Sequence, residues 1–384
     1  MAFYLAFKEV WRNRGRFFLF SLVIALITIL VLFIAALAEG LALANKQYLE
    51  KLDAQILVFQ ANVELSPNTS RIAPSKLNDI KRIEGVQSAG PIGFSNGTIV
   101  FSDGRESLDV SLIGVEADSP GAPPAIAGRN LLTNRGSEII VDQNVVDQAR
   151  IKIGDRITLK TIQGSNEEFY NLDVIGVTDG RQYLFQPSIF IPYRTWDQIR
   201  PQAVSGSRLV ETTVNVVAVE VAPNEDPQVV IQRINEQVKD VEASDIKTAY
   251  ESLPGYQAQQ STLNTQRGFT LLIGILVIGG FFQIQMLQKI PLIGVLKAIG
   301  VSDLAVAAAA VFQIILVTSF GVLLGSVVTL GLGAGISGTV PVVFNGSSVI
   351  VAIITLLLIG PIGGLVSVRL AISVEPLIAL GLSS

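Results

Sequence analysis

The chain has 384 residues, 49% hydrophobic and 16% charged, with a formal net charge of −4; soluble proteins carry about 25% charged residues, so a mean hydropathy of +0.51 marks an integral membrane protein. Cysteine and histidine are both absent, which excludes disulfides, thiol nucleophiles, Ser-His-Asp relays and ordinary zinc sites, and leaves the redox compartment undetermined. No G-x-x-x-x-G-K-[ST] loop occurs, nor even a Gly-Lys dipeptide; the chain is not its own P-loop ATPase, and any ATP that drives it is hydrolysed by another subunit.

Phe17 to Ala38 is uncharged and apolar, long enough to meet the roughly 20 residues that span a hydrocarbon core. Lys8, Arg12, Arg14 and Arg16 precede it, which places the N-terminus in the cytoplasm by the positive-inside rule. Ala36-Leu37-Ala38 offers a cleavage-like site, but the run exceeds a signal peptide's apolar region of roughly 7–15 residues, so a retained first span is expected. Glu39 follows at the outer end of that span, where an acid is costly unless it meets water, a partner or a ligand. Tyr48, Tyr250 and Tyr256 lie on flanking polar stretches; Glu39, Tyr48 and Tyr256 are candidate substrate contacts. Exposure at the membrane boundary explains the acid, and an aromatic belt the tyrosines, equally well.

From Leu41 to Arg267 the composition is globular and nets −7, against +3 for the rest. Long loops translocate largely regardless of charge. Alternating apolar and β-branched runs predict strands at Ile56–Phe59, Thr98–Phe101, Val110–Val115, Glu138–Val141, Arg156–Thr161, Leu172–Val177, Ile189–Ile191 and Val214–Val221. Helices are expected at Ser75–Ile83, Asn144–Arg150 and Asp226–Val238, which gives a mixed α+β domain. Leu41–Asp53 and Asp245–Thr265 are polar and mostly helix-compatible, suited to extend the first two spans as stalks.

Gly268 to Leu287 is a second span. The stretch that follows, Gln288 to Gly300, is short, amphipathic and basic, and reads as a tight loop at the membrane surface holding one short flat helix. Ile290, Ile293, Leu296 and Val295 would face one side, with the ammonium groups of Lys289 and Lys297 toward headgroups or a partner. Ser302 is placed to cap the next helix, with Asp303 near its positive end. Leu304 to Val368 contains no charged residue at all and, as one helix, would be about three times the hydrocarbon thickness. Turn formers at Gly338–Pro341 and Asn345–Ser348 divide it into spans near Leu304–Ile336 and Val349–Leu370. Gly321/Gly325, Gly331/Gly335 and Gly360/Gly364 stand four apart, spacing that lets helices approach closely, within one bundle in preference to a dimer seam. Gln283, Gln285 and Gln313 should face protein or a cavity.

Lys289 and Ile293-Gly294-Val295-Leu296-Lys297-Ala298-Ile299-Gly300 match position by position the K/R-x-x-x-I-G-[IV]-L-[KR]-A-[IL]-G pattern of the FtsX/MacB family of ABC-transporter permeases. Lys8 to Arg16 resembles that family's basic opening helix, and Val374-Glu375-Pro376-Leu377-Ile378-Ala379-Leu380 its V-[DE]-P-x-x-A-[LI] ending. Ser137–Val141 and Ile151–Ile157 resemble the family's extracytoplasmic core. Leu32–Leu41, Gly255–Ala258 and Gln288–Ile290 are most similar to the branch of haem-exporter permeases.

The resemblance implies an α-helical membrane protein with four transmembrane helices and both termini cytoplasmic. The divisions are a cytoplasmic basic helix at 1–16, spans at 17–40, 268–288, 303–337 and 348–370, an extracytoplasmic α+β domain at 41–267, a coupling segment at 289–302, an outer loop at 338–347 and a cytoplasmic tail at 371–384. It assigns Lys289, Ile290, Pro291, Ile293, Gly294, Val295, Leu296, Lys297, Ala298, Ile299 and Gly300 to docking of the ATPase. The implied partners are two copies of an ABC ATPase, a second copy of this chain, membrane lipids and, in some relatives, a periplasmic membrane-fusion protein; nucleic acid is not expected. No cofactor, metal or catalytic residue is expected in this chain, with ATP and Mg on the partner. Extrusion of a hydrophobic or amphiphilic compound, a lipid, glycolipid or haem-like molecule, is the expected function. The alternative is an FtsX-like signalling subunit that regulates an extracytoplasmic partner without transport. Haem iron favours His, Cys, Met or Tyr ligands, and the only methionines are Met1 and Met286, so a lipid-like cargo is at least as well supported.

Overall fold

The computed structural model describes residues 8, 11–202, 213–253, 255–335 and 342–373. The sequence motif at Val374–Leu380 and part of the expected outer loop at 338–347 lie outside the described residues. Two compact units form, one of Met1–Gly40 with Gln260–Ser384, the other Leu41–Gln259.

Helix α1 (Arg14–Glu50) begins in the first unit and contributes its last residues to the second. In the second unit ten strands make one sheet: β1 (Ile56–Gln60), β2 (Val86–Val100), β3 (Leu108–Val115), β4 (Ala127–Gly128), β5 (Glu138–Asp142), β6 (Arg156–Gln163), β7 (Asn166–Thr178), β8 (Ser188–Pro192), β9 (Val216–Val221) and β10 (Val241–Asp245). Their order is β10-β1-β9-β2-β3-β8-β5-β7-β4, with β6 pairing both β2 and β7. Parallel neighbours occur at β3–β8 and β5–β7 and the rest run antiparallel.

Side chains alternate across a strand, and here both faces are covered. Ile56 and Val58 join a core shared with Ile80 of α2 (Pro74–Ile80), Val145 of α3 (Gln143–Ala149), Trp196 of α4 (Tyr193–Ile199) and Ile234 of α5 (Pro227–Gln237). Leu57 and Phe59 face the opposite core, closed by Tyr48 and Leu49 at the end of α1 and by Ala249 of α6 (Ile246–Glu251). Each expected strand and helix is present, but β2 and β7 start at Val86 and Asn166, well ahead of the expected Thr98 and Leu172, and β4 lies outside every expected run. Strand β2, β10 and helices α4 and α6 extend beyond what the periodicity shows. Strand β2 carries Gly90, Pro91, Gly93 and Gly97, residues that read as loop; at Gly93 and Gly114 a methyl group would stand 2.4 and 2.5 Å from the Trp196 ring, so small residues there admit the indole.

The first unit contains three further helices, α7 (Tyr256–Ala298), α8 (Asp303–Gly335) and α9 (Gly346–Ile372). With α1, four helices among the described residues are long and apolar enough to cross a membrane. Two of the three glycine pairs act as close-packing points inside this bundle. A methyl on Gly321 or Gly325 would meet α1 at 2.7 and 2.6 Å, and one on Gly360 or Gly364 would meet Thr318 and Ile314 of α8 at 2.2 and 2.3 Å. Gly331 and Gly335 have open space instead. Gln285 and Gln313 are buried as expected, whereas Gln283 is exposed on the bundle's outer side.

Candidate functional site

The expected short flat helix is not separate: α7 runs through Lys289 and Pro291 to Ala298. Proline removes one N–H from the helical ladder, but the buried face continues past it through Ile293 and Gly294, and no helix-ending residue comes before Gly300. At Gly300, with φ +93°, the chain turns left-handed. The Val301 amide donates to the Leu296 carbonyl and the Gly300 amide to that of Lys297, both at 3.0 Å, the pair of bonds that closes a Schellman motif. Ser302 then accepts from the Ala305 amide at 3.3 Å and caps α8 as expected.

The segment's faces also differ from the helical-wheel expectation. Ile293 is buried and Ile290 and Leu296 are half-buried, but Val295 points outward. Leu292, Val295 and Ile299 are 56%, 43% and 72% exposed, and their i, i+3, i+7 spacing forms one apolar stripe. Neither lysine stands out toward solvent. Lys289 donates to Gln313 Oε1 at 3.0 Å; Lys297, 8% exposed, pairs with Asp303 at 2.7 Å and donates to the Ile372 carbonyl. The bundle's own carbonyls and carboxylate attract these ammonium groups inward, and Lys297 ties together the ends of α7, α8 and α9.

At the other end of the bundle, the half-buried Glu39 carboxylate accepts from Asn345 Nδ2 at 3.2 Å and Ser348 Oγ at 3.4 Å. Asn345 caps α9, so Glu39 sits at a helix N-terminus, where the dipole favours an acid. Ser348 also lines a cleft of about 240 Å3 whose wall includes Val31, Ala35, Arg267, Leu271 and Thr355. The Nε of Arg267 is buried and donates to nothing among the described residues. A buried guanidinium N–H without an acceptor favours an anionic or carbonyl oxygen arriving from outside. Arg267 reads in the sequence only as the start of a span; its side chain's direction carries no sequence signal.

Tyr48 and Tyr256 belong to the sheet unit, not to that of Glu39. Tyr48 is 0% exposed and its hydroxyl donates to the Gly121 carbonyl at 2.9 Å, so it packs in the sheet unit's core. Tyr256 is half-buried, with its ring 5.8 Å from that of Tyr250, over which Lys46 sits at 4.7 Å. Nearby in the same unit, Lys51 and Arg181 donate to Asp179 at 2.7 and 2.8 Å. Partial burial raises the Asp179 carboxyl, but those two cations outweigh it and hold the group down at about 2.

Comparison with known proteins matches residues 17–237 to the MacB-like periplasmic core domain and residues 268–376 to the FtsX-like permease C-terminal domain. A protein of Staphylococcus haemolyticus named, provisionally, hemin transport system permease protein HrtB is 28% identical over 98% of this chain and 99% of its own. A protein of the same name from Staphylococcus epidermidis is 23% identical over the same shares. The solved periplasmic region of MacB from Actinobacillus actinomycetemcomitans covers 52% of this chain and 92% of its own at 16% identity, with a TM-score of 0.37. The extracellular domain of YknZ, a noncanonic ABC-type transporter from Gram-positive bacteria, covers 50% and 99% at 12% identity, with a TM-score of 0.35. Four apolar helices, a large α+β domain between the first two and both family matches in register make this chain an ABC transporter permease of the FtsX/MacB type, a multi-pass cell-membrane subunit whose family works with a partner ATPase.

Proposed function

We propose that the chain works as a homodimer with two copies of a separate ATPase, extruding a hydrophobic or amphiphilic compound from the membrane's outer leaflet. The observation that carries this reading is on α7. That single helix lines the Arg267 cleft near one end and presents the Leu292, Val295, Ile299 stripe at the other, so force on the stripe would be felt at the cleft. Both termini are cytoplasmic in this reading, because Arg12, Arg14, Arg16, Lys289, Lys297 and Arg369 lie before or after spans on one side. An apolar stripe of three large side chains fits a groove on the ATPase in the helix-in-groove manner.

For the cargo, Arg267 and the apolar wall of its cleft favour an amphiphile with an acidic group, which includes lipids and, through the names of the relatives, hemin. Glu39 holds the start of α9 beside that cleft. The test is identification of small molecules retained by the detergent-purified complex, for wild type, Glu39→Gln and Arg267→Gln. Arg267→Gln should lower retention of an acidic amphiphile roughly tenfold, the value of one charged hydrogen bond. Equal retention by all three proteins places the cargo site elsewhere. ATPase stimulation with no retained compound is the signature of the signalling alternative.

A further inference from the structure

A second cleft, of about 670 Å3, opens at the opposite end of the same bundle, and four cations line it: Lys8, Arg12, Arg16 and Lys289. Among the described residues no carboxylate does. Its floor is apolar, formed by Met286, Ile293, Val306 and Ala310, which make their own small core. Gln313, 4% exposed, also lines it; its Oε1 accepts from Lys289, but its Nε2 is buried and has no acceptor among the described residues. An amide left unsatisfied in such a place costs about 1–3 kcal/mol.

We infer that this cleft binds an anionic phospholipid of the cytoplasmic leaflet, its phosphate received by the cations and by Gln313 Nε2, its acyl chains against the apolar floor. The occupant is a lipid and not a free anion because half of the lining is hydrocarbon and the cleft belongs to a bundle embedded in a membrane. Basic pockets between helices on the cytoplasmic side suit such headgroups. The lipid would tie the basic N-terminal residues to the part of α7 that follows Leu287. This inference needs only the membrane placement, so its failure leaves the cargo and ATPase readings untouched.

The full chain, purified in detergent without its ATPase, is titrated with phosphatidylglycerol or phosphatidylcholine of identical acyl chains, and bound lipid is counted by native mass spectrometry. Phosphatidylglycerol should bind one per chain, at least about tenfold more tightly than phosphatidylcholine. The double variant Arg12→Gln/Arg16→Gln should weaken it roughly 30-fold and spare phosphatidylcholine. Because those arginines also set topology, Gln313→Leu supplies a charge-neutral check and should weaken phosphatidylglycerol about tenfold. Equal binding of the two lipids, wild-type binding by both variants, or displacement of the lipid by equimolar inorganic phosphate would each overturn the inference.

Discussion

Replacing Lys297 by Met keeps the buried four-atom stem and removes only the ammonium that joins three helix ends. Among the described residues two interactions disappear, with unequal weights. The bond to the Ile372 carbonyl is charge-assisted, worth about 1.5–3 kcal/mol. The ion pair with Asp303 is close, at 2.7 Å, but the carboxylate is 59% exposed, so water screens it to about 1 kcal/mol or less. Lys297→Met should therefore cost about 2–3 kcal/mol in all. Asp303→Asn loses only the smaller part, and Ser302 still caps α8. In thermal unfolding of the detergent-solubilised chain, Lys297→Met should lower Tm by about 2–4 °C and Asp303→Asn by about 1 °C or less. An Asp303→Asn variant as damaged as Lys297→Met would refute the reasoning, since the exposed partner would then carry the stabilisation.

Gly360→Val should disrupt the α8–α9 seam, where a Cβ would meet Thr318 at 2.2 Å, and cost about 1–3 kcal/mol or more; Gly331→Ala, into open space, should leave Tm unchanged or slightly raised, and equal losses at both sites would contradict the packing described. Asp179 makes acid stability pH-dependent: its folded carboxyl lies at about 2, below an unfolded value of about 3.9, so its contribution is present above pH 4 and lost as pH falls toward 2. Since Asp179 is 39% exposed, that loss is about 1 kcal/mol or less, and Asp179→Asn should lower Tm at pH 7 by the same small amount and flatten the profile in that acid window.

Much of this was legible because lipid imposes simple demands. Uncharged runs mark the four candidate spans, turn formers mark where α9 starts, and two of the three glycine pairs mark where α8 meets α1 and α9. Side-chain direction was not legible. Tyr48 lies beside a predicted membrane boundary, and only its partner Gly121, 73 residues away, shows that it belongs to a core. Apolar character alone groups Val295 with Ile293, yet two positions along a helix separate them by about 200°. Lys289 and Lys297 look like headgroup contacts until Gln313, Asp303 and the Ile372 carbonyl are in place beside them. Strand β2 hid behind Gly90, Pro91, Gly93 and Gly97, and the indole of Trp196 explains why Gly93 is there.

The most direct test of force transmission is the ATPase rate of the partner subunit, reconstituted in vesicles with wild-type chain, with Val295→Asp or with no permease. Val295 is 43% exposed and lines neither cleft, so the change leaves the bundle and its pockets intact while placing an unpaired charge on the docking stripe. Wild-type chain should stimulate hydrolysis, and Val295→Asp, at wild-type Tm, should return the rate to that of the ATPase alone. Full stimulation by Val295→Asp would contradict the assignment of the end of α7 as the point where the ATPase grips this permease.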